Sequence, residues 1–395
     1  MKILVLHQLP YRKAGYDRAI DHRRHDVTYA GHADRLADLP EELPARRLPI
    51  PADEDFAAGV IARTSPADGY EAVLSLSEFG VLAVCRVRGH LGLPGPTPEQ
   101  AELAHDKVRM KQALAGSGIR TPRFSAAPAR GALLPWSGAT VLKPRRGTCS
   151  EGVSVFPSAR RALAAHRALA EPQAYELEEY VDGDILHTDG LVQGGVLVHS
   201  VTSRYVGKPA DYAAGIPLGS HQLPPDERYE DLARRTVAAL GIDCGTVHLE
   251  FFETAGNELV FLEVANRMGG AGVVDAHLRH TGVHLPSHEI ALRLGLPRPV
   301  PDTPSGRYHG WLVVPGHHLP ADRPHTAGLP AHLLDHPCAD RIHILPPGTP
   351  AARHITYQEW LVPLAVEASH PDPAALRAYL HACAEAAAIP SEEAA

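Results

Sequence analysis

Two glutamates on either side of a turn signal carry the most pointed chemical implication in this sequence. In Gly245-Thr-Val-His-Leu-Glu-Phe-Phe-Glu-Thr-Ala-Gly-Asn-Glu-Leu-Val-Phe-Leu-Glu-Val-Ala-Asn-Arg267, two apolar runs flank Gly256-Asn257, a pair suited to positive φ. With those two residues as the loop, Ala255 faces Glu258, Phe252 faces Phe261 and Glu250 faces Glu263. Like charges directly opposite each other destabilise a sheet. Leu249, Phe251, Phe252 and Leu262 surround them, so either one carboxylate is protonated or a cation sits between them. Mg²⁺ meets that need, because it binds through one or two carboxylates plus substrate phosphates. Asn266 can add a neutral oxygen, and Arg267 follows it. A solvated hairpin edge would carry the same residues, so this stretch alone leaves both readings open.

A second chemical signal is Val141-Leu-Lys-Pro-Arg-Arg-Gly-Thr-Cys-Ser-Glu-Gly-Val153. It puts Lys143 at the end of an apolar strand, then a polar loop with Gly147 and Gly152, then a new strand from Val153 to Phe156. Backbone N–H groups of such a loop can cradle phosphate oxygens, and the glycines permit close approach. It is not a Walker loop: no Gly-Lys-Ser/Thr ends it, and a strand follows. Asp106-Lys107 opens a helix containing Met110, Ala113 and Leu114, and offers another cation. Tyr175-Glu-Leu-Glu-Glu-Tyr-Val-Asp-Gly183 reads as a strand running into a turn, able to present backbone groups to a nucleobase edge. Taken singly, these are equally a basic hairpin tip, a surface lysine and an acidic edge strand.

The elements that must position these groups follow from periodicity. Lys2 to Leu6 and Tyr70 to Leu76 read as buried strands, and Glu78 to His90 as a helix, in a small α/β lobe over the first 100 residues or so. Leu91 to Pro98 breaks that helix. A charged helix is expected from Pro98 to Gly116. The middle of the chain, roughly 105 to 300, alternates strands and helices as in an α+β architecture. Pro297, Pro299, Pro301 and Pro304 mark a boundary. Beyond it lie a strand at Gly310 to Val314, a Pro/His-rich connector, a helix from Asp372 to Ala387 and a tail, Ser391 to Ala395, expected to be disordered.

Composition bounds the function class. The chain has 395 residues, 44% hydrophobic and 21% charged, which suits two or three globular lobes. Its net charge of −8 argues against a nucleic-acid binder. No apolar run reaches bilayer length, so no membrane association is expected. Met1 to Pro10 reads as a first strand rather than a signal peptide. Five cysteines without a C-x-x-C pair read as reduced thiols of a cytoplasmic protein, and the 25 histidines show no metal-ligand spacing.

In order and spacing, Lys107, the Lys143 strand with its loop, Glu178-Glu179-Tyr180-Val181, and Glu250, Glu263, Asn266 and Arg267 resemble the ATP-grasp superfamily over about residues 70 to 300. The form Glu-Val-Ala-Asn-Arg-Met-Gly-Gly is most similar to the carboxylate–amine ligases, including L-amino acid ligases. The resemblance implies an N-terminal α/β domain over 1–100 and an ATP-grasp region over 101–300, with a lid lobe at about 115–182 and a metal-binding lobe at about 183–300. A C-terminal α+β region follows over 301–395. It implies ATP and Mg²⁺ as cofactors, commonly two ions, with Mn²⁺ an alternative. Lys107 and Lys143 would contact phosphates, and the loop Arg145 to Gly152, with Ser150, would close over them. Glu178 and the backbone of Glu179 and Val181 would hold adenine, and His187 would reach a phosphate. Asp184 would stand in for the family's ribose-binding acid, although Ile185 departs from the pattern, as does Cys149 in the loop. Glu250, Glu263 and Asn266 would ligate the metal, and Arg267, with Lys143, would serve catalysis. Glu78, Arg204, Ser220 and Gly270 are candidates for a substrate carboxylate or amine. The implied reaction joins a carboxylate to an amine through an acyl phosphate, releasing ADP and phosphate, in a chain that is often a homodimer in this family. Alternatives are a ligase acting on a larger nucleotide- or cofactor-pathway carboxylate, a carboxylase acting through carboxyphosphate, a phosphotransferase, and a non-catalytic ATP-binding regulator on the same fold.

Overall fold

In the computed structural model, residues 1–126, 128, 133–319, 327–346 and 349–387 are described; the tail from Ser391 to Ala395 lies outside them. The chain opens with β1 (Lys2–Leu6), β2 (Asp26–Gly31), β3 (Arg46–Pro49) and β4 (Ala72–Leu74), a parallel sheet in the order β3-β2-β1-β4. The continuous apolar run of β1 has this cause: the central strand of a parallel sheet is covered on both faces. β4 is shorter than the expected strand. The helix after it starts with a 3-10 turn, Glu78–Gly80, capped by Ser77, and continues as Val81–His90.

The single helix expected from Pro98 to Gly116 is broken in two. Pro98–Ala101 and Glu102–Ala104 form short turns, and the chain restarts as Lys107–Ala113. Asp106 is the cause. Its buried carboxylate accepts from Val108 N–H (2.9 Å) and Arg109 N–H (3.2 Å), which makes it an N-cap. Lys107 thus stands at the first position of a new helix.

A small antiparallel sheet follows, built from β5 (Phe124–Ser125), β6 (Thr140–Pro144), β7 (Ser154–Phe156) and β8 (Tyr175–Glu179) in the order β5-β8-β6-β7. The helix Ala159–Arg167 buries Ala162 and Leu163 against Leu142 and Leu177. β8 is an interior strand, so its acidic run does not face solvent from an edge: Glu176 and Glu178 are buried.

The third sheet has eight antiparallel strands: β9 (Asp184–Gln193), β10 (Val196–Val206), β11 (Leu218–Gln222), β12 (Cys244–Glu253), β13 (Leu259–Ala265), β14 (Tyr308–Val314), β15 (Ala339–Ile344) and β16 (Leu364–His370). Their order is β13-β12-β9-β10-β11-β14-β16-β15. The last three strands lie beyond the proline cluster yet continue the same sheet. The helix Glu227–Leu240 is capped by Asp226 and by Gly241 at φ 62°. It buries Tyr229, Leu232, Ala233, Thr236, Val237 and Leu240 at helical spacing, most of them against Leu186, Val192, Phe251 and Phe261.

Glu250 does pair with Glu263, but by a different route from the expected one. Thr254 N–H bonds Glu258 O, so the loop is Ala255-Gly256-Asn257, with Asn257 at φ 60°. The third loop residue shifts the register by one, and Phe252 faces Val260 rather than Phe261. An irregularity between Glu250 and Phe251 shifts it back.

Candidate active site

The hairpin β12–β13 brings two carboxylates together on one face. Glu250 Oε1 accepts from Tyr205 OH at 2.6 Å and lies 3.4 Å from His248 Nε2. Glu263 Oε2 lies 3.1 Å from Lys107 Nζ, which also donates to Gly147 O at 3.0 Å and so ties the loop between β6 and β7 to the hairpin. Burial pushes the Glu250 pKa up, but the His248 hydrogen bond and charge, with Tyr205, bring it below the usual carboxylate range. Glu250 therefore stays ionised opposite Glu263. No partner of Glu250 Oε2 occurs among the described residues.

Above the pair lies a cavity of about 520 Å³, roomy enough for a nucleotide. Val141, Val155, Ile185, Phe252 and Leu262 supply apolar walls, while Lys107, Lys143, Glu178, Glu250 and Glu263 supply charge. Lys143 Nζ is buried and ion-paired, 2.9 Å from Glu178 Oε2 and 3.9 Å from Glu176 Oε1. Burial disfavours its charge, but Glu178, Glu176 and Glu263 raise its pKa overall. Lys111 is wholly buried. It donates to Glu176 at 2.7 Å and to Glu178 more closely, completing a cluster of two lysines and two glutamates beneath the cavity. Burial and Glu178 raise the Glu176 pKa. For Glu178, Lys111 and Lys143 overcome burial and lower it.

After β8, Glu179 N–H goes to Arg123 O and Tyr180 N–H to Ala139 O. The Glu179 carboxylate is engaged by Arg120 (2.9 Å) and by Arg123. The backbone N–H of Glu179 is therefore already paired. Val181 lines the cavity, and its N–H is paired with none of the described residues. In the loop between β6 and β7, Cys149 and Ser150 take the left-handed backbone (φ 59° and 54°) beside Gly147 and Gly152. Thr148 and Ser150 line this cavity and also a second one.

That second cavity, about 610 Å³, meets the first at Glu250 and Glu263. Arg267, Gly270, Glu78, Phe79, Trp311 and Tyr357 are among its walls. The Glu78 carboxylate is already engaged there: its oxygens meet Arg267 Nε at 2.7 Å and His105 Nδ1 at 2.9 Å. Other expected residues stand apart from both cavities. Asp184 and Arg204 pair with each other, and Arg204 reaches Glu253 at 2.5 Å. Arg145 pairs with Asp106 at 2.8 Å instead of facing the cavity. Gly152 helps turn the loop but is not part of the cavity wall. Asn266 directs its amide N–H groups to Thr246 O (2.8 Å) and Cys244 O (3.3 Å). Ser220 and His187 are buried below the glutamates and bond each other at 2.7 Å. All five cysteines are free, and no described helix is long and apolar enough to cross a membrane.

Comparison with known proteins follows from this geometry. No protein-family model matches the chain. The L-amino acid ligase from Bacillus licheniformis superposes over 99% of this chain and 98% of its own, with a TM-score of 0.72 at 19% identity. The chain has the ATP-grasp fold. A second ATP-grasp structure is the biotin carboxylase domain of 2-oxoglutarate carboxylase from Hydrogenobacter thermophilus, in complex with MgADP. It covers 99% of this chain and 90% of its own, with a TM-score of 0.64 at 13% identity. The L-arginine-specific L-amino acid ligase of Bacillus subtilis is 24% identical over 220 residues, 52% of this chain. The chain spans about half the length of the curated relatives it matches, 47% and 53%.

Five residues around these carboxylates and lysines were not singled out in the sequence: Lys111, Glu176, Asp189, His248 and the half-buried Tyr205. Periodicity held a partial signal. Lys111 is one helical turn beyond Lys107, Glu176 shares a strand face with Glu178, and His248 shares one with Glu250. His187, Asp189 and His248 lie within 4.8 Å of one another, but hydrogen bonds of 2.6 and 2.8 Å to Asp189 already close the gaps between them.

Proposed function

We propose that the protein is an ATP-dependent carboxylate–amine ligase that forms an amide or peptide bond on amino-acid or other small carboxylate substrates, releasing ADP and phosphate. One observation carries the reading: a nucleotide-sized cavity and a second cavity meet at the carboxylate pair Glu250–Glu263, between Lys143 on one side and Arg267 on the other. The donor set fits the groups this chemistry needs. Val181 N–H suits an acceptor on the adenine edge, and the Lys143 ammonium on the cavity wall suits phosphate oxygens. Glu250 and Glu263 would hold Mg²⁺, which offsets phosphate charge when bound.

The substrate carboxylate enters from the second cavity and attacks the γ-phosphorus of ATP. A P–O bond forms, the bridging bond to the β-phosphate breaks, and ADP leaves. The amine then attacks the acyl carbon, phosphate departs with the C–O bonding pair, and the amine loses a proton. Lys143 and Lys107 hold phosphate oxygens in line, and Arg267 stands where the acyl oxygens gather charge. The lid loop, carrying Thr148 and Ser150 at the junction, excludes water from the acyl phosphate.

The test is to incubate the protein with Mg²⁺-ATP and pooled amino acids and follow ADP and phosphate together. Equimolar release that depends on the pool supports the reading; AMP with pyrophosphate overturns it. Glu263→Gln is expected to lose turnover on the order of 10²–10³-fold with the fold intact. Full activity of that variant would remove the metal assignment.

A further inference from the structure

Beneath Glu250 runs a hydrogen-bonded chain that no step of the ligation uses. Ser220 Oγ meets His187 Nε2 at 2.7 Å, and His187 Nδ1 meets Asp189 Oδ2 at 2.6 Å. Asp189 Oδ1 meets His248 Nδ1 at 2.8 Å. His248 Nε2 then faces Glu250 Oε1, the oxygen that Tyr205 OH holds at 2.6 Å. All six residues are buried or nearly so, and strand register explains the array. Across β9 and β12, His187 stands opposite Glu250, and Asp189 opposite His248. The Tyr205 ring packs 4.7 Å from the His187 ring, which lies 5.2 Å from that of His248. The carboxylate is clamped from one side only: both contacts fall on Oε1, and Oε2 keeps no protein partner among the described residues.

We infer that Tyr205 and His248, anchored by Asp189, are positioning residues that make Glu250 a one-oxygen cation ligand and so favour Mg²⁺ over Ca²⁺. The inference rests on the cation reading of Glu250 and Glu263 given above. The reason is geometric. Ca²⁺ takes six to eight oxygens and readily uses both oxygens of a carboxylate, whereas Mg²⁺ requires octahedral, mostly one-oxygen ligation. With both a phenol hydroxyl and an imidazole nitrogen directed at Oε1, bidentate ligation would have to displace one of them. Groups that orient a ligand in this way are worth roughly 10–100-fold in metal affinity.

Calorimetric titration of Mg²⁺ and of Ca²⁺ into the full chain with ADP tests this, using wild type, Tyr205→Phe and Glu263→Gln. Thermal unfolding in EDTA serves as the fold control. Tyr205→Phe keeps the ring and its packing, so its EDTA unfolding midpoint is expected to match wild type, while the Mg²⁺-to-Ca²⁺ affinity ratio falls about ten-fold. A purely structural role would move the midpoint and not the ratio. An unchanged ratio in Tyr205→Phe, with Mg²⁺ binding lost in Glu263→Gln, overturns the positioning inference and leaves the cation site standing. Wild-type Mg²⁺ binding in Glu263→Gln overturns both.

Discussion

At the scale of single residues, Glu78 joins the first lobe to the reacting centre. Its carboxylate holds Arg267 from below, while Arg267 NH1 donates to Met268 O at 2.8 Å. Burial alone would raise the Glu78 pKa, but the His105 hydrogen bond and the Arg267 charge hold it at about 2 rather than 4.5. The sign follows: a depressed carboxyl stabilises the fold fully above the unfolded value and loses that contribution as pH falls through the folded one. Glu78 should therefore supply on the order of 3 kcal/mol at neutral pH, lost between pH 4.5 and about 2. Glu78→Gln should lower the denaturant midpoint at pH 6 and flatten its fall over that acid window, read by circular dichroism. A midpoint that falls with pH as steeply as wild type would exclude Glu78 as the source.

At the scale of elements, the helix Lys107–Ala113 and strand β8 are locked by charge rather than by apolar contact. Lys111 reaches Glu176 and Glu178 with no exposure to water. Lys111→Met would leave two carboxylates buried with only Lys143 to answer them. A loss of about 3–5 kcal/mol in unfolding free energy is expected, and a loss below about 1 kcal/mol would rule the lock out. This part of the site was not readable beforehand, because an acidic strand looks the same from its own residues whether it is an edge or an interior strand. The helix break at His105-Asp106 was hidden for a related reason: charged residues at helical spacing continue a pattern that only the Asp106 cap interrupts. Glu250 and Glu263 were readable because their opposition depends on total register, and the three-residue loop and the irregularity cancel. Asp189 and His248 belong to different strands and meet only when β9 pairs with β12, so no local pattern joins them.

At the scale of the whole molecule, the second cavity draws walls from every part of the chain: Leu9 and Glu78 from the first lobe, Ser150 from the β6–β7 loop, Arg267 from the segment after β13, Trp311 and Tyr357 from beyond the proline cluster. Sequence composition placed a boundary at that cluster, and the sheet runs straight across it. Apolar side chains of β14 and β16 share one core with Val206 and with Leu376, Tyr379 and Leu380 of the helix Pro373–Ala386. A chain ending at residue 300 should therefore lose β14 as the neighbour of β11 and expose an unpaired strand edge. It is expected to pellet on centrifugation, where the full chain stays in the supernatant; a soluble, nucleotide-binding fragment would mean that the sheet tolerates the open edge.

That pairing order also sets a timetable at the ribosome. β9 to β13 emerge first and can assemble around the glutamate hairpin, but β11 must wait with its outer edge open until β14 arrives, and β14 in turn waits for β16. The strands that finish the sheet are the last to be made. Between β13 and β14 the nascent chain carries an unfinished sheet whose open edge invites a neighbouring copy, so slow translation across the proline cluster should favour aggregation over maturation.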